Sequence, residues 1–176
     1  MLIDDVTIAI RAGNGGRGAV SFNKNMMSLG PTGADGGRGG NVCFEGTSDL
    51  SALGQFRYKK SVSAENGENG KAQFNDGSDG DDLVLKISVG TVIHTIGREE
   101  TEEILNIGQK ILIAKGGRGG KGNFKFRSPI NTSPKEFQEG TPGEYFTIRL
   151  ELKLIADVGL IGLPNAGKSS LLNELT

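Results

Sequence analysis

Residues 162–169 read Gly-Leu-Pro-Asn-Ala-Gly-Lys-Ser, a complete GxxxxGK[ST] spacing. Gly162 and Gly167 permit backbone conformations that turn successive N–H groups toward the oxygens of one phosphate. Lys168 has the reach for β- and γ-phosphates, and the Ser169 hydroxyl can coordinate Mg²⁺. The flanks suit that chemistry. An apolar run, Ile155 to Ile161, precedes the loop as a strand, and Leu171, Leu172 and Leu175 fall on one face of a following helix. The helix N-terminus adds partial positive charge at the anion. A chance match in a glycine-rich chain is the alternative, and the strand–loop–helix setting argues against it.

The elements upstream have a different period. Val6, Ile8 and Ile10 alternate with polar or small residues, as do Leu83, Leu85, Ile87 and Val89, and Phe146, Ile148, Leu150, Leu152 and Leu154. Alternation of this kind marks half-buried strands. Shorter strands are expected at 42–44, 92–96, 104–107 and 111–114. Almost nothing before residue 168 has helical periodicity, so the first domain reads as all-β.

Between these strands lies most of an unusual glycine content: 29 glycines in 176 residues, more than twice the usual share of about 7%. Gly33, Gly36 and Gly39 are spaced by threes, as are Gly116, Gly119 and Gly122; Gly13 and Gly16, Gly15 and Gly18, Gly67 and Gly70, and Gly77 and Gly80 repeat the interval. Polyproline II has three residues per turn and no internal hydrogen bonds. Ordering residues 33–40 alone costs on the order of 8–16 kcal/mol of backbone entropy. A lone segment stays disordered, whereas several side by side can exchange backbone hydrogen bonds. The expected fold is mainly β, a small barrel or sandwich carrying glycine-rich polyproline II helices. The first strand, phosphate loop and helix of an α/β domain follow it. Residues 1–158 form the first unit and 159–176 the start of the second.

Composition excludes several functions. A net charge of −1 gives no bulk attraction to nucleic acid or membrane, so any RNA contact comes from local clusters. The one cysteine, Cys43, precludes an internal disulfide and is expected to be a buried thiol; no Cys/His set suits structural zinc. No apolar run approaches a membrane span. His94 has no nucleophile or ligand cluster near it in sequence and reads as structural. Asp76, Asp79, Asp81 and Asp82 resemble a calcium loop only loosely, lacking the EF-hand spacing and closing glutamate. Glu99, Glu100, Glu102 and Glu103 read as a solvated hairpin tip. Arg17, Arg38 and Arg118 each follow a glycine, and a role inside the bundle is favoured over RNA phosphate contact. Two groups suit RNA better: Arg57-Tyr58-Lys59-Lys60, and Lys121, Lys125 and Arg127 interleaved with Phe124 and Phe126. The two phenylalanines equally suit the core of a strand.

The stretch LELKLIADVGLIGLPNAGKSSLL at 150–172, the GGRGG at 36–40, AENGENG at 64–70, GGRGGKGNF at 116–124 and the residues 140–144 together resemble the Obg GTPases. The resemblance covers essentially the whole chain. It implies a β-barrel base with six polyproline II helices, and a cytoplasmic GTPase that binds GTP and GDP with Mg²⁺; a monomer is expected, though not from the resemblance. It also implies association with the large ribosomal subunit during assembly. Gly162, Leu163, Pro164, Asn165, Ala166, Gly167, Lys168 and Ser169 would hold the phosphates, with Ser169 on Mg²⁺. Two departures stand out: Lys71-Ala72-Gln73 replaces further glycine, and Ser88-Val89-Gly90-Thr91 lacks a proline common before that Gly-Thr. The sequence ends inside the helix after the loop, without a switch threonine, a second Mg²⁺ carboxylate or a guanine-reading loop. The expectation is therefore the N-terminal part of a longer GTPase, itself inactive. Two competing readings are a non-enzymatic scaffold for ice or a polymer, and a disordered glycine–arginine RNA binder. The phosphate loop argues against the first, and the patterned strands and slightly acidic charge balance against the second.

Overall fold

The computed structural model describes residues 3–23, 30–97, 101–153 and 168–175. Among these residues eight strands form two sheets. They are β1 (Asp5–Arg11), β2 (Val42–Thr47), β3 (Ser61–Ser63), β4 (Leu83–Ser88), β5 (Thr91–Thr95), β6 (Thr101–Glu103), β7 (Lys110–Ala114) and β8 (Tyr145–Leu152). The five-stranded sheet has the order β3-β1-β8-β5-β6 and the three-stranded sheet β4-β2-β7. β1 and β8 pair antiparallel from Asp5↔Glu151 to Arg11↔Tyr145. Ile8, Ile10, Ile148, Leu150 and Ile93 face Val42, Phe44, Leu85 and Ile87 in one core, with Leu53 and Phe56 of the 3₁₀ turn Ala52–Phe56. Alternation thus identified the strands because each sheet buries one face.

The expected strand at 104–107 is a correction. β6 ends at Glu103, and Ile104 is buried with its N–H bonded to the Thr91 carbonyl. The N–H groups of Leu105 and Asn106 bond instead to the Gln109 side chain, and Gly108 turns the chain at φ +77°. Leu105 and Ile107 are exposed, so the apolar run did not mark a buried face.

Three excursions connect the sheets, and each runs out and back. Residues 12–41 join β1 to β2, 64–82 join β3 to β4, and 115–144 join β7 to β8. They supply six extended segments: I (12–19), II (33–41), III (64–71), IV (76–82), V (115–123) and VI (138–144). Their hydrogen bonds recur every third residue. Gly13, Gly16 and Ala19 of segment I donate to the Gly40, Gly37 and Ala34 carbonyls of segment II. Ala12, Gly15 and Gly18 donate on another face to Glu144, Thr141 and Gln138 of segment VI. Gly117, Gly120 and Asn123 of segment V donate to Gly13, Gly16 and Ala19, while Gly36 and Gly39 donate to Gly120 and Gly117. Outgoing and returning segments are antiparallel; outgoing ones are parallel to each other.

Glycine is required here by space rather than by a left-handed φ. Among the described residues, positive φ at glycine occurs only at Gly90, Gly97 and Gly108, all in turns. A Cβ on Gly36 would overlap the Gly16 carbonyl, and one on Gly119 the Gly36 carbonyl. The segments with glycine doublets, I, II and V, form a central triangle with glycine on two faces each. Segments III, IV and VI flank it and carry one glycine per triplet.

The remaining face is bonded through side chains. Asp76, Asp79 and Asp82 accept the N–H groups of Asp35, Arg38 and Asn41 at 3.0, 2.7 and 2.7 Å. In return Gly77, Gly80 and Leu83 donate to the carbonyls of those same residues. Asn66 and Asn69 do the same for Asn14 and Arg17. Asp79 also accepts both Nε and Nη2 of Arg38, at 3.1 and 3.0 Å. The Arg38 N–H first, then its guanidinium, lower the Asp79 pKa below its ordinary 3.8. A depressed carboxylate stabilises the fold above its unfolded pKa and loses that contribution as pH falls through its folded pKa. Asp79→Asn is therefore expected to flatten the fall in melting temperature below about pH 4, and to cost under about 1 kcal/mol at pH 7 because the pair is exposed. Thermal melts across pH 2–7 check both points.

Candidate functional site

Residues 162–167 of the phosphate-loop motif lie outside the described residues, as does the apolar run before them. Lys168 and Ser169 open helix α1 (Lys168–Leu175). No acidic residue occupies its first turn, and a helix N-terminus carries partial positive charge. Ser169 is exposed, Lys168 half-buried, and Leu171 51% exposed. A hydroxyl and a cation thus sit at the end of a helix that attracts anions, the chemistry that a nucleotide phosphate and its Mg²⁺ require. An eight-residue helix is marginal alone and depends on packing.

The second candidate site lies where the three excursions turn back, around 20–23, 30–32, 71–75 and 124–137. Exposed apolar side chains gather there: Phe22, Phe74, Phe124, Ile130 and Phe137. Phe124, Lys125 and Phe126 occupy a 3₁₀ turn, Asn123–Phe126, rather than a strand. Phe124 is 41% exposed and Phe126 half-buried, so neither is a core residue. The turn is anchored by Asn123, which is fully buried. Its Oδ1 accepts the Gly33 N–H at 2.8 Å and its Nδ2 donates to the Ser21 and Pro134 carbonyls at 3.1 and 3.0 Å. Lys125 lies 3.4 Å from Asp35. A groove of about 600 Å³ runs past Phe124, Lys125, Arg127 and Thr132.

Other candidate residues scatter. Arg38 is tied to Asp79, as its structural reading anticipated. Arg17 and Arg118 are exposed, with their N–H groups bonded to Asn69 and Thr141. Arg57 stacks over the Tyr58 ring at 5.6 Å, and all of Arg57, Tyr58, Lys59 and Lys60 are exposed, near β3 and away from the tip turns. Lys121 is exposed on segment V. His94 faces Glu151 at 3.3 Å across the sheet, a structural position. Cys43 is half-buried on the outer face of β2 rather than buried; burial and Asp82 push its thiol pKa up, with Lys110 opposing. Asp76, Asp79 and Asp82 each commit Oδ1 to a backbone N–H of the bundle, and no group of three potential metal ligands occurs among the described residues. Glu103 pairs with Lys153 at 3.2 Å, while Glu99 and Glu100 lie outside the described residues.

Sequence reasoning missed two contributors. Asn123 looked like one more polar residue beside glycine, and only its four-way bonding distinguishes it. Phe74 stood alone in a polar stretch, and its approach to Phe124, 4.9 Å between ring centres, joins residues fifty apart. The Lys71-Ala72-Gln73 departure proves to be the turn between segments III and IV, closed by Lys71 N–H to the Asn75 carbonyl. Among the described residues no helix is long and apolar enough to cross a membrane.

A family model described as GTP1/OBG matches residues 3–154, and one described as 50S ribosome-binding GTPase matches residues 157–176. The GTPase Obg of Malacoplasma penetrans is 50% identical over 179 residues, covering 100% of this chain and 42% of that protein. That of Persephonella marina is 47% identical over 180 residues, covering 99% of this chain and 52% of its own length. That of Lactobacillus delbrueckii is 45% identical over 177 residues, covering 99% and 40%. The chain thus spans about half or less of the length of these curated relatives.

Proposed function

The chain belongs to the GTP1/OBG family, and we propose that it forms the partner-binding unit of a GTP-hydrolysing protein together with the first elements of its nucleotide domain. Residues 1–158 are the binding unit and 159–176 the start of the GTPase domain. By their place in the motif, Gly162, Leu163, Pro164, Asn165, Ala166 and Gly167 would form the loop around the phosphates of GTP or GDP, all but Pro164 with an N–H to donate, and Lys168 would neutralise the β- and γ-phosphates. Ser169 would hold Mg²⁺, which would supply positive charge to screen the phosphates. The exposed hydroxyl at the first turn of α1 fits that ion. The partner is the large ribosomal subunit, and the protein works in the cytoplasm as a monomer.

The observation that carries the partner reading is the tip: exposed aromatics beside Lys121, Lys125 and Arg127 at the end of a cross-bonded bundle. Aromatics among cations suit unpaired bases and phosphates. A rigid support reduces the ordering cost of docking. Reversing charge at Lys121 and Lys125 together is expected to weaken binding to purified large subunits by roughly tenfold or more, with a flatter salt dependence. Unchanged affinity would exclude these residues.

Residues 157–176 match only the opening of a GTPase domain, and a nucleotide site also needs switch and base-reading loops. The 176-residue polypeptide is expected to bind guanine nucleotide more weakly than micromolar and to show no hydrolysis. Calorimetry giving a micromolar or tighter Kd would contradict this.

A further inference from the structure

Two recesses at the tip share a wall. The smaller, about 170 Å³, is bounded by Phe74, Phe124, Asp35, Asp76 and Lys125. The larger groove continues from Phe124 and Lys125 to Arg127, Ser128 and Thr132. The smaller recess has three features a packing gap would lack.

Its aromatic walls are presented rather than buried. Phe74 and Phe124 meet edge to face, at 88° between planes, yet are 56% and 41% exposed. Phe74 also holds a left-handed backbone, φ +59°, as does Gln73. That region is unfavourable for a bulky residue and persists only where the surroundings enforce it. Here the Phe74 N–H bonds to the Thr32 carbonyl, and Lys71 N–H closes the turn on Asn75.

The polar wall is selective. Asp35 has both oxygens engaged, Oδ1 by the Gly122 N–H at 2.8 Å and Oδ2 facing Lys125. Asp76 uses Oδ1 for the Asp35 N–H, and its Oδ2 has no hydrogen bond from the described residues. The cations Lys125 and Arg127 lie along the outer groove, where a backbone would pass.

A recess of this volume with open ring surfaces suits one planar base. An ionised carboxylate only accepts, so it favours an amino-bearing edge, as cytosine, adenine and guanine present, over uracil, whose single N3–H lies between two carbonyl oxygens that a carboxylate repels. An arginine side chain of a protein partner would also suit aromatics and a carboxylate, but Lys125 and Arg127 at the mouth repel it. We infer that the Phe74–Phe124 recess takes a single unpaired, amino-bearing base of single-stranded RNA, selected by Asp76, with the adjoining groove taking the flanking phosphates. This rests on the RNA-binding reading of the tip and goes beyond it by naming the class of base and the residue that chooses it.

The test is fluorescence anisotropy of the 176-residue protein with hexamers of cytidine, adenosine and uridine. The expected order is cytidine and adenosine over uridine by roughly tenfold. Phe74→Ala should weaken all three by roughly tenfold. Asp76→Asn preserves the acceptor for the Asp35 N–H, as Asn66 and Asn69 do for Asn14 and Arg17 on segment III. It also adds an amide donor, so the order should shift toward uridine, whose O4 accepts, with the melting temperature unchanged. RNA binding that is blind to base and indifferent to Phe74→Ala would overturn the pocket while leaving the tip as an RNA surface. Binding of no oligomer would remove both. Asp76-dependent binding of an arginine-rich peptide in place of RNA would overturn the choice of ligand.

Discussion

Gly36→Ala is expected to abolish cooperative folding of the glycine bundle, at a cost of at least about 4 kcal/mol. The methyl group has nowhere to go. It would overlap the Gly16 carbonyl oxygen and approach that of Arg17, both backbone atoms of the neighbouring segment. The Gly36 N–H also bonds to Gly120, so moving segment II away breaks bonds to segments I and V together. Overpacking in an ordinary core costs about 1–3 kcal/mol because side chains repack; backbones fixed every three residues cannot. Collagen fails at single glycine substitutions for the same reason. Two controls make the prediction specific. Gly30 and Gly54 have nothing within 4 Å of an added Cβ, and alanine there should stay within about 0.5 kcal/mol of wild type. Gly108 has open space but φ +77°, so alanine there should cost about 1 kcal/mol from backbone strain alone. Chemical denaturation of the four variants separates crowding from strain.

The second large effect is expected at Asn123. Replacing it by alanine orphans the buried Gly33 N–H and removes the donor to the buried Pro134 carbonyl, and also to the part-buried Ser21 carbonyl, which keeps the Thr32 N–H. Each unsatisfied buried group costs about 1–3 kcal/mol, so a loss of about 3–5 kcal/mol is expected. Asn123→Asp distinguishes hydrogen bonding from volume. An ionised carboxylate would face two carbonyl oxygens in the interior, so its folded pKa must rise above the unfolded value of about 3.9. A raised carboxyl pKa destabilises the fold above the unfolded pKa, and the penalty is relieved as pH falls and the acid form donates. Asn123→Asp should therefore melt at a higher temperature at pH 4 than at pH 7, opposite in sign to the Asp79 pair. A melting temperature indifferent to pH would mean that Asn123 does not hold the tip in the way described.

The strands were legible because their alternation reflects one buried face, as β1 and β8 show residue by residue. The run at 104–107 misled because Ile104 is core while Leu105 and Ile107 are not; apolar composition without alternation carries no direction. The triplet glycines announced a bundle, and the doublets in segments I, II and V carried further information, since a second glycine per triplet marks a second crowded face. Long-range partners were not legible. Nothing near Asp76 or Asn66 says that their side chains close a backbone pair forty or fifty residues away. The phosphate motif rests on spacing alone, because the chemistry expected of it comes from backbone and two side chains, Lys168 and Ser169, within eight residues. The tip was legible only by half: Phe124, Lys125 and Arg127 drew attention, whereas Phe74 depends on a fold that no local pattern encodes.

These levels connect in one direction. Triplet glycine lets extended backbones approach, their mutual hydrogen bonds offset the entropy of ordering them, and the stiffened bundle holds aromatic and cationic side chains away from the β core. Amide hydrogen exchange of the intact chain measures that directly. The N–H groups of Gly16, Gly36, Gly37, Gly39, Gly117 and Gly120 should exchange as slowly as those of β1 and β8, through the same global opening, although none lies in a helix or strand. Exchange of these glycines at unprotected rates while β1 and β8 remain protected would show loose loops on a β base, and the account of the bundle would be wrong.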